Sequence, residues 1–119
     1  MTAAHKPTVL ILGPMRPVKD DREGPSSRTL QLTSLIEGIA ADRAGRLGSE
    51  FGFRVEGPDI NTSADIIPGI LNKIERADLV VLDLTGGPPG VMYELGLVHA
   101  LGLPFICLTS DSEDRKSVV

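Results

Sequence analysis

Uninterrupted apolar runs alternate along this chain with stretches whose apolar positions recur at helical spacing. Thr8 to Leu12 is a continuous β-branched and aliphatic run closed by Gly13-Pro14. Apolar on both faces, it predicts a strand in the middle of a parallel sheet. Met15 to Ser27 is polar, with Arg16, Lys19, Asp20, Asp21, Arg22 and Glu23 ahead of Gly24-Pro25, and reads as a long loop. Ser26 or Ser27 can cap a helix with Leu32, Leu35, Ile36 and Ile39 on one stripe, decaying around Gly45 to Gly48. Phe51 to Val55 alternates and predicts a short strand ended by Gly57-Pro58.

Asn61, Thr62 or Ser63 is the expected cap of a second helix, with Ile66, Ile67, Ile70, Leu71 and Ile74 facing inward. Pro68 is tolerable there only near the first turns. Asp78 to Leu84 predicts a second buried strand, and Gly86 to Gly90 a tight connection with two X-Pro bonds that could be cis. Val91 to Leu101 carries Val91, Leu95 and Val98 at helical spacing and is closed by Gly102; Pro104 to Leu108 predicts a last strand. The order β-α-β-α-β-α-β with right-handed crossovers predicts a doubly wound α/β fold, a parallel sheet of about four to five strands between helical layers. Four strands is thin for such a sheet, so a longer relative is expected to add a final helix or strand.

The 119 residues fit a single domain spanning 1–119. Aromatic residues make up only 3%, so the core must be aliphatic and base-stacking platforms are nearly excluded. Twelve basic against 16 acidic residues leave no basic footprint for nucleic acid. No apolar run approaches the roughly 20 residues that span a bilayer. The one cysteine, Cys107, excludes an internal disulfide and fits a reducing, cytoplasmic setting; within a predicted strand it reads as core. Neither histidine lies at metal-ligand spacing from it, so no metal or resident cofactor is expected.

The functional crevice of an open parallel sheet lies beyond the carboxyl ends of its strands. Four segments fall on that rim: Gly13, Pro14, Met15 and Arg16; Pro58 and Asp59; Asp83 to Gly90; and Thr109 to Asp111. Asp83 ends an otherwise apolar strand, where it could accept from backbone donors of the turn after it or face a ligand. Gly86, Gly87 and Gly90 either permit close backbone approach to a ligand or simply meet the needs of a tight turn. Arg16 is close enough to the first strand to reach a phosphate. Glu94, placed one turn inside the third helix, should be kept ionised and acid-shifted by the helix dipole. That suits a nucleophile or cation stabiliser, or equally a plain complement to the dipole. His99, five residues on, is not on the same stripe and reads as a packing or rim histidine.

The stretch from Arg76 to Leu108 contains Ala-Asp-Leu-Val-Val-Leu-Asp-Leu-Thr followed by Tyr-Glu-Leu-Gly-Leu-Val-His-Ala-Leu-Gly-Leu-Pro. It resembles the nucleoside 2-deoxyribosyltransferase-like family and the related TIR-like domains, strongly over residues 76–109 and weakly at Val9 to Pro14. The resemblance implies a flavodoxin-like three-layer sandwich. It also implies that Glu94 is the catalytic carboxylate acting at C1′ of a ribose or deoxyribose, with Asp83 near the sugar and base. Thr85, Gly86, Gly87, Gly90 and Tyr93 would join the first-strand segment and Asp59 in holding a nucleoside or nucleotide. NAD enters as a candidate substrate, because nicotinamide departs as a neutral base and needs no proton donor. Such domains generally act as homo-oligomers or beside a fused or separate sensor domain. The turn here, Gly-Gly-Pro-Pro-Gly, offers no side-chain donor, and Gly69 and Ile70 stand nearest to where the transferases place an Asp. These departures keep a second reading open, a non-catalytic nucleotide-sensing or interaction module on the same fold. A flavin carrier is disfavoured, since Tyr93 is the only aromatic near the rim.

Overall fold

A computed structural model of the protein describes residues 6–17, 22–57, 61–62 and 66–110. Four parallel strands form its central sheet: β1 (Thr8–Leu12), β4 (Arg54–Glu56), β6 (Leu79–Asp83) and β7 (Phe105–Leu108), in the spatial order β4-β1-β6-β7. Three helices connect them: α1 (Ser27–Leu47), α2 (Ile66–Arg76) and α3 (Pro89–Ala100). This is the expected doubly wound α/β sandwich with a flavodoxin-like strand order.

Why these strands sit centrally follows from which side chains each face buries. Leu10, Leu12, Val80 and Leu82 point to one face, where they pack with Ile74 of α2 and Val91 and Val98 of α3. Val9, Ile11 and Val81 point to the other, against Leu32 and Ile36 of α1. With side chains alternating along each strand, β1 and β6 feed both cores, so both faces of each are apolar apart from Thr8 and Asp83 at their ends. Each fully buried aliphatic side chain contributes about 1.5–3 kcal/mol. The chain steps from β1 to β4 on one side and then returns to β6 on the other. The reversal point is therefore the crevice between the carboxyl ends of β1 and β6, where Gly13 and Asp83 lie.

Several local expectations change. The polar stretch after β1 is not all loop: β2 (Met15–Pro17) and β3 (Arg22–Pro25) pair antiparallel, and β5 (Asn61–Thr62) adds to β3. Residues of low apolar content give no periodic signal, and the pairing is carried by backbone bonds. Asn61 and Thr62 are strand residues; Ser63 and the residues between it and α2 lie outside the described residues. Pro68 is the third residue of α2, inside its first turn as required; the side chains of Ile66 and Ile67 lie outside what is described. The strand expected at Phe51 to Val55 is displaced to Arg54–Glu56, because Ser49–Phe51 close a 3-10 turn after α1.

On α1 the stripe is narrower than its sequence suggests. Leu32 and Ile36 pack on the sheet, while Leu35 and Ile39 are 61% and 50% exposed, since β4 has only three residues to lie beneath the helix. Cys107 is exposed and not core. β7 is the outer strand of the sheet, and all four of its residues are exposed. The bonds preceding Pro88 and Pro89 are trans. No helix among the described residues is long and apolar enough to cross a membrane.

Candidate functional site

Asp83 ends β6 on the α1 face and is only 2% exposed. A buried carboxylate needs donors, and two are supplied. Thr85 N–H donates to Oδ1 at 3.0 Å, closing the local turn anticipated from the sequence. Arg28 Nε donates to Oδ2 at 3.0 Å from the first turn of α1. The same guanidinium, through its terminal nitrogen, bonds the Ser110 hydroxyl beyond β7. Ser110 N–H in turn donates to Thr85 Oγ1 at 3.1 Å. Three segments of the rim are thereby tied around one carboxylate.

Arg28 is the residue that sequence reasoning missed. It lies in a helical first turn, where a cation opposes the dipole, and that unfavourable placement was the available signal. Its partner is 55 residues away, a separation no local pattern reports.

Glu94 presents the opposite case. The helix begins at Pro89, capped from Pro88, so Glu94 is its sixth residue and lies beyond the first turn, where the dipole acts. It is half-buried, and burial pushes its carboxyl up from the usual 4.5 to about 7. The expected acid shift is therefore reversed, because desolvation outweighs a dipole already faded at that depth. Among the described residues no donor or cation bonds the Glu94 carboxyl. Asp83 and Glu94 share no hydrogen bond, and Arg28 engages only the former.

The remaining rim candidates divide by what already occupies them. Gly13 is buried where α1 crosses β1, and a Cβ there would overlap the Thr29 hydroxyl. Pro14 contributes its carbonyl to the start of α1, accepting from Ser26 N–H at 3.1 Å and from Thr29 Oγ1 at 3.3 Å. Ser26 caps that helix, its Oγ accepting from Thr29 N–H at 3.2 Å. Met15 is half-buried at the first position of β2. Arg16 is exposed and donates from Nε to the Pro25 carbonyl across the β2–β3 pair. Asp59 and Asp111 lie outside the described residues.

In the turn after β6, Gly86 and Gly87 adopt φ of +79° and +63°, so turn geometry alone requires both glycines. Space above them is open, as it is above Gly90 in the first turn of α3. Tyr93 is 57% exposed beside Glu94 in sequence, and His99 is exposed with its ring tilted against Phe105. Among the described residues no three potential metal ligands come together. A cleft of about 310 Å³ lies between α1 and β4, lined by Lys6, Glu37, Phe53 and Val55, remote from this rim.

No protein-family model matches the chain. One curated protein, 5-hydroxymethyl-dUMP N-hydrolase of the rat (Rattus norvegicus), is 44% identical over 45 residues. The similarity covers 38% of this chain and 28% of the rat protein. It is a partial link to a protein named as a nucleotide N-hydrolase, at family level at most.

Proposed function

We propose that this domain binds a nucleoside or nucleotide at the β1/β6 crevice and cleaves its N-glycosidic bond, with Glu94 as the carboxylate at C1′. The single observation that carries the reading is that Glu94 is a half-buried carboxyl with no partner among the described residues. A group kept in that state is costly to the fold and gains most from a cation brought beside it. Cleavage of an N-glycosidic bond develops that cation at C1′. The partial similarity to a protein named as an N-hydrolase supports the same chemistry.

In this reading the C1′–N bond breaks with its electron pair leaving on the base, and ionised Glu94 meets the oxocarbenium carbon. Water then supplies the hydroxyl to C1′; its proton goes to a base that left as an anion, or to solvent where the base left neutral, as nicotinamide does. Asp83, with one oxygen held by Thr85 and the other by Arg28, fixes the turn that carries Gly86 and Gly87 to the sugar. Two carboxyl groups in different environments thus take different roles. Gly86, Gly87 and Gly90 offer open backbone to the sugar or its phosphate, and Tyr93 offers an exposed ring to the base. NAD stays in the candidate substrate set beside nucleotides and nucleosides.

Incubating the full chain with NAD, nucleosides and 5′-nucleotides, with chromatographic detection of free base, tests the proposal. Free base should appear with at least one substrate and disappear with Glu94→Gln. Base release that survives this substitution within a few-fold would remove Glu94 from the chemistry. The alternative, a sensing or interaction module without turnover, is favoured by the turn, whose Gly-Gly-Pro-Pro-Gly sequence has no side-chain donor. It predicts binding of one of these ligands with no base released.

A further inference from the structure

We infer that Arg28 is a positioning residue for this site: it acts on a bound sugar through Asp83, by locking the carboxylate between α1 and the segment after β7. The inference rests on the reading of the rim as a nucleotide site and adds to it a residue with no counterpart among the positions legible in sequence.

Four observations carry it. First, Asp83 is 2% exposed, so the orientation of its carboxylate is set by its donors and not by water. Second, the local donor, Thr85 N–H, fixes only Oδ1. A single bond leaves the group free to rotate about that contact, and the Arg28 Nε–H on Oδ2 is what removes the freedom. Third, Arg28 is anchored at its far end by the Ser110 hydroxyl, and Ser110 is anchored in turn by Thr85 Oγ1. The donor is therefore itself held, as a positioning residue must be. Fourth, the guanidinium is about half exposed (48%), so its attachment to Asp83 reaches from the buried carboxylate to the solvent side of the rim.

Arginine has a geometric advantage over lysine in this place. Its fork gives Nε–H to one acceptor and a terminal N–H to another in a single plane, whereas an ammonium is one compact point of charge. Arg28→Lys should therefore keep the cation but lose one of the two tethers.

A double-mutant cycle tests the inference in the full chain, using Arg28→Gln, Asp83→Asn and the pair of substitutions together. The probe is 2′-deoxyuridine 5′-monophosphate, with its dissociation constant measured by calorimetry and base release followed in parallel. Arg28→Gln alone should weaken binding about tenfold, the scale of one charged hydrogen bond. In the Asp83→Asn background the same change should weaken binding less than about twofold, because the group it acts through is gone. Arg28→Lys should recover part of the loss. A purely structural role for Arg28 would lower the melting temperature while leaving the dissociation constant at wild-type value, and that result overturns the inference. Equal losses in both backgrounds also overturn it, since Arg28 would then act on the ligand without Asp83. If the wild type binds the probe and the cycle shows coupling, yet no substrate releases base, the inference stands and the hydrolytic reading alone falls. If the probe does not bind the wild type, the inference falls, while the hydrolytic reading is decided by the substrate panel above.

Discussion

The tip of β6 and the second turn of α3 each hold one carboxyl group withdrawn from water, and the fold treats them in opposite ways. At Asp83 the cost of burial is offset by two donors, one local from Thr85 and one distant from Arg28. At Glu94 nothing among the described residues offsets it, and the carboxyl is pushed up to about 7. Desolvation is common to both sites; the supply of donors is what differs. A satisfied carboxylate fixes the backbone and side chains that bind it, whereas an unsatisfied one is held ready for a positive charge arriving from outside.

The contrast has consequences of graded size. The largest falls on catalysis. Glu94→Gln should reduce base release by about 10³-fold, the scale of losing electrostatic stabilisation at the reacting centre, measured by chromatography against the wild type. The fold should survive, because an amide of the same shape removes an ionisable group that burial disfavours.

Next in size is a pH effect on stability. The carboxyl of Glu94 is raised in the folded state, so the folded chain binds more protons than the unfolded one between the two values. Stability therefore falls as pH rises from about 4.5 to about 7 and levels off above that. Relative to Glu94→Gln, the wild type should lose on the order of 2 kcal/mol across this window, read from urea unfolding at a series of pH values. Equal slopes for the two proteins would show that Glu94 is not desolvated in solution.

Asp83→Asn comes third. It keeps an oxygen that can accept from Thr85 but deprives Arg28 of its counter-ion, and should cost about 2 kcal/mol in the same measurement. That lies below the 3–5 kcal/mol of a fully buried pair, because the guanidinium remains half in water. Ser26→Ala is the smallest, about 1 kcal/mol for the lost cap of α1. It should loosen the start of the helix that carries Arg28, and leave α3 and Glu94 untouched.

The sequence carried the architecture well because β1 and β6 must be apolar on both faces, a pattern that survives without knowledge of their neighbours. Glycine and proline then marked the connections at Gly13-Pro14, Gly48 and Gly102. What stayed hidden depends on partners far along the chain. The β2–β3–β5 sheet is held by backbone bonds in polar sequence, and the exposure of Cys107 follows from β7 lying at the sheet edge. At the site, Asp83 and its bond to Thr85 were legible because both are local. Arg28 was not, since its bond spans 55 residues. The direction of the Glu94 shift was misjudged for a reason of register: two residues of helix before Val91 moved it out of reach of the dipole.

The most direct test is the pH dependence of kcat/KM for base release by the wild-type chain. With Glu94 acting as a carboxylate, the rate rises with pH and reaches its plateau above about 7, the value at which burial sets its ionisation. A profile flat through that region, or one that falls as pH increases, would contradict the assignment of ionised Glu94 to the reacting carbon.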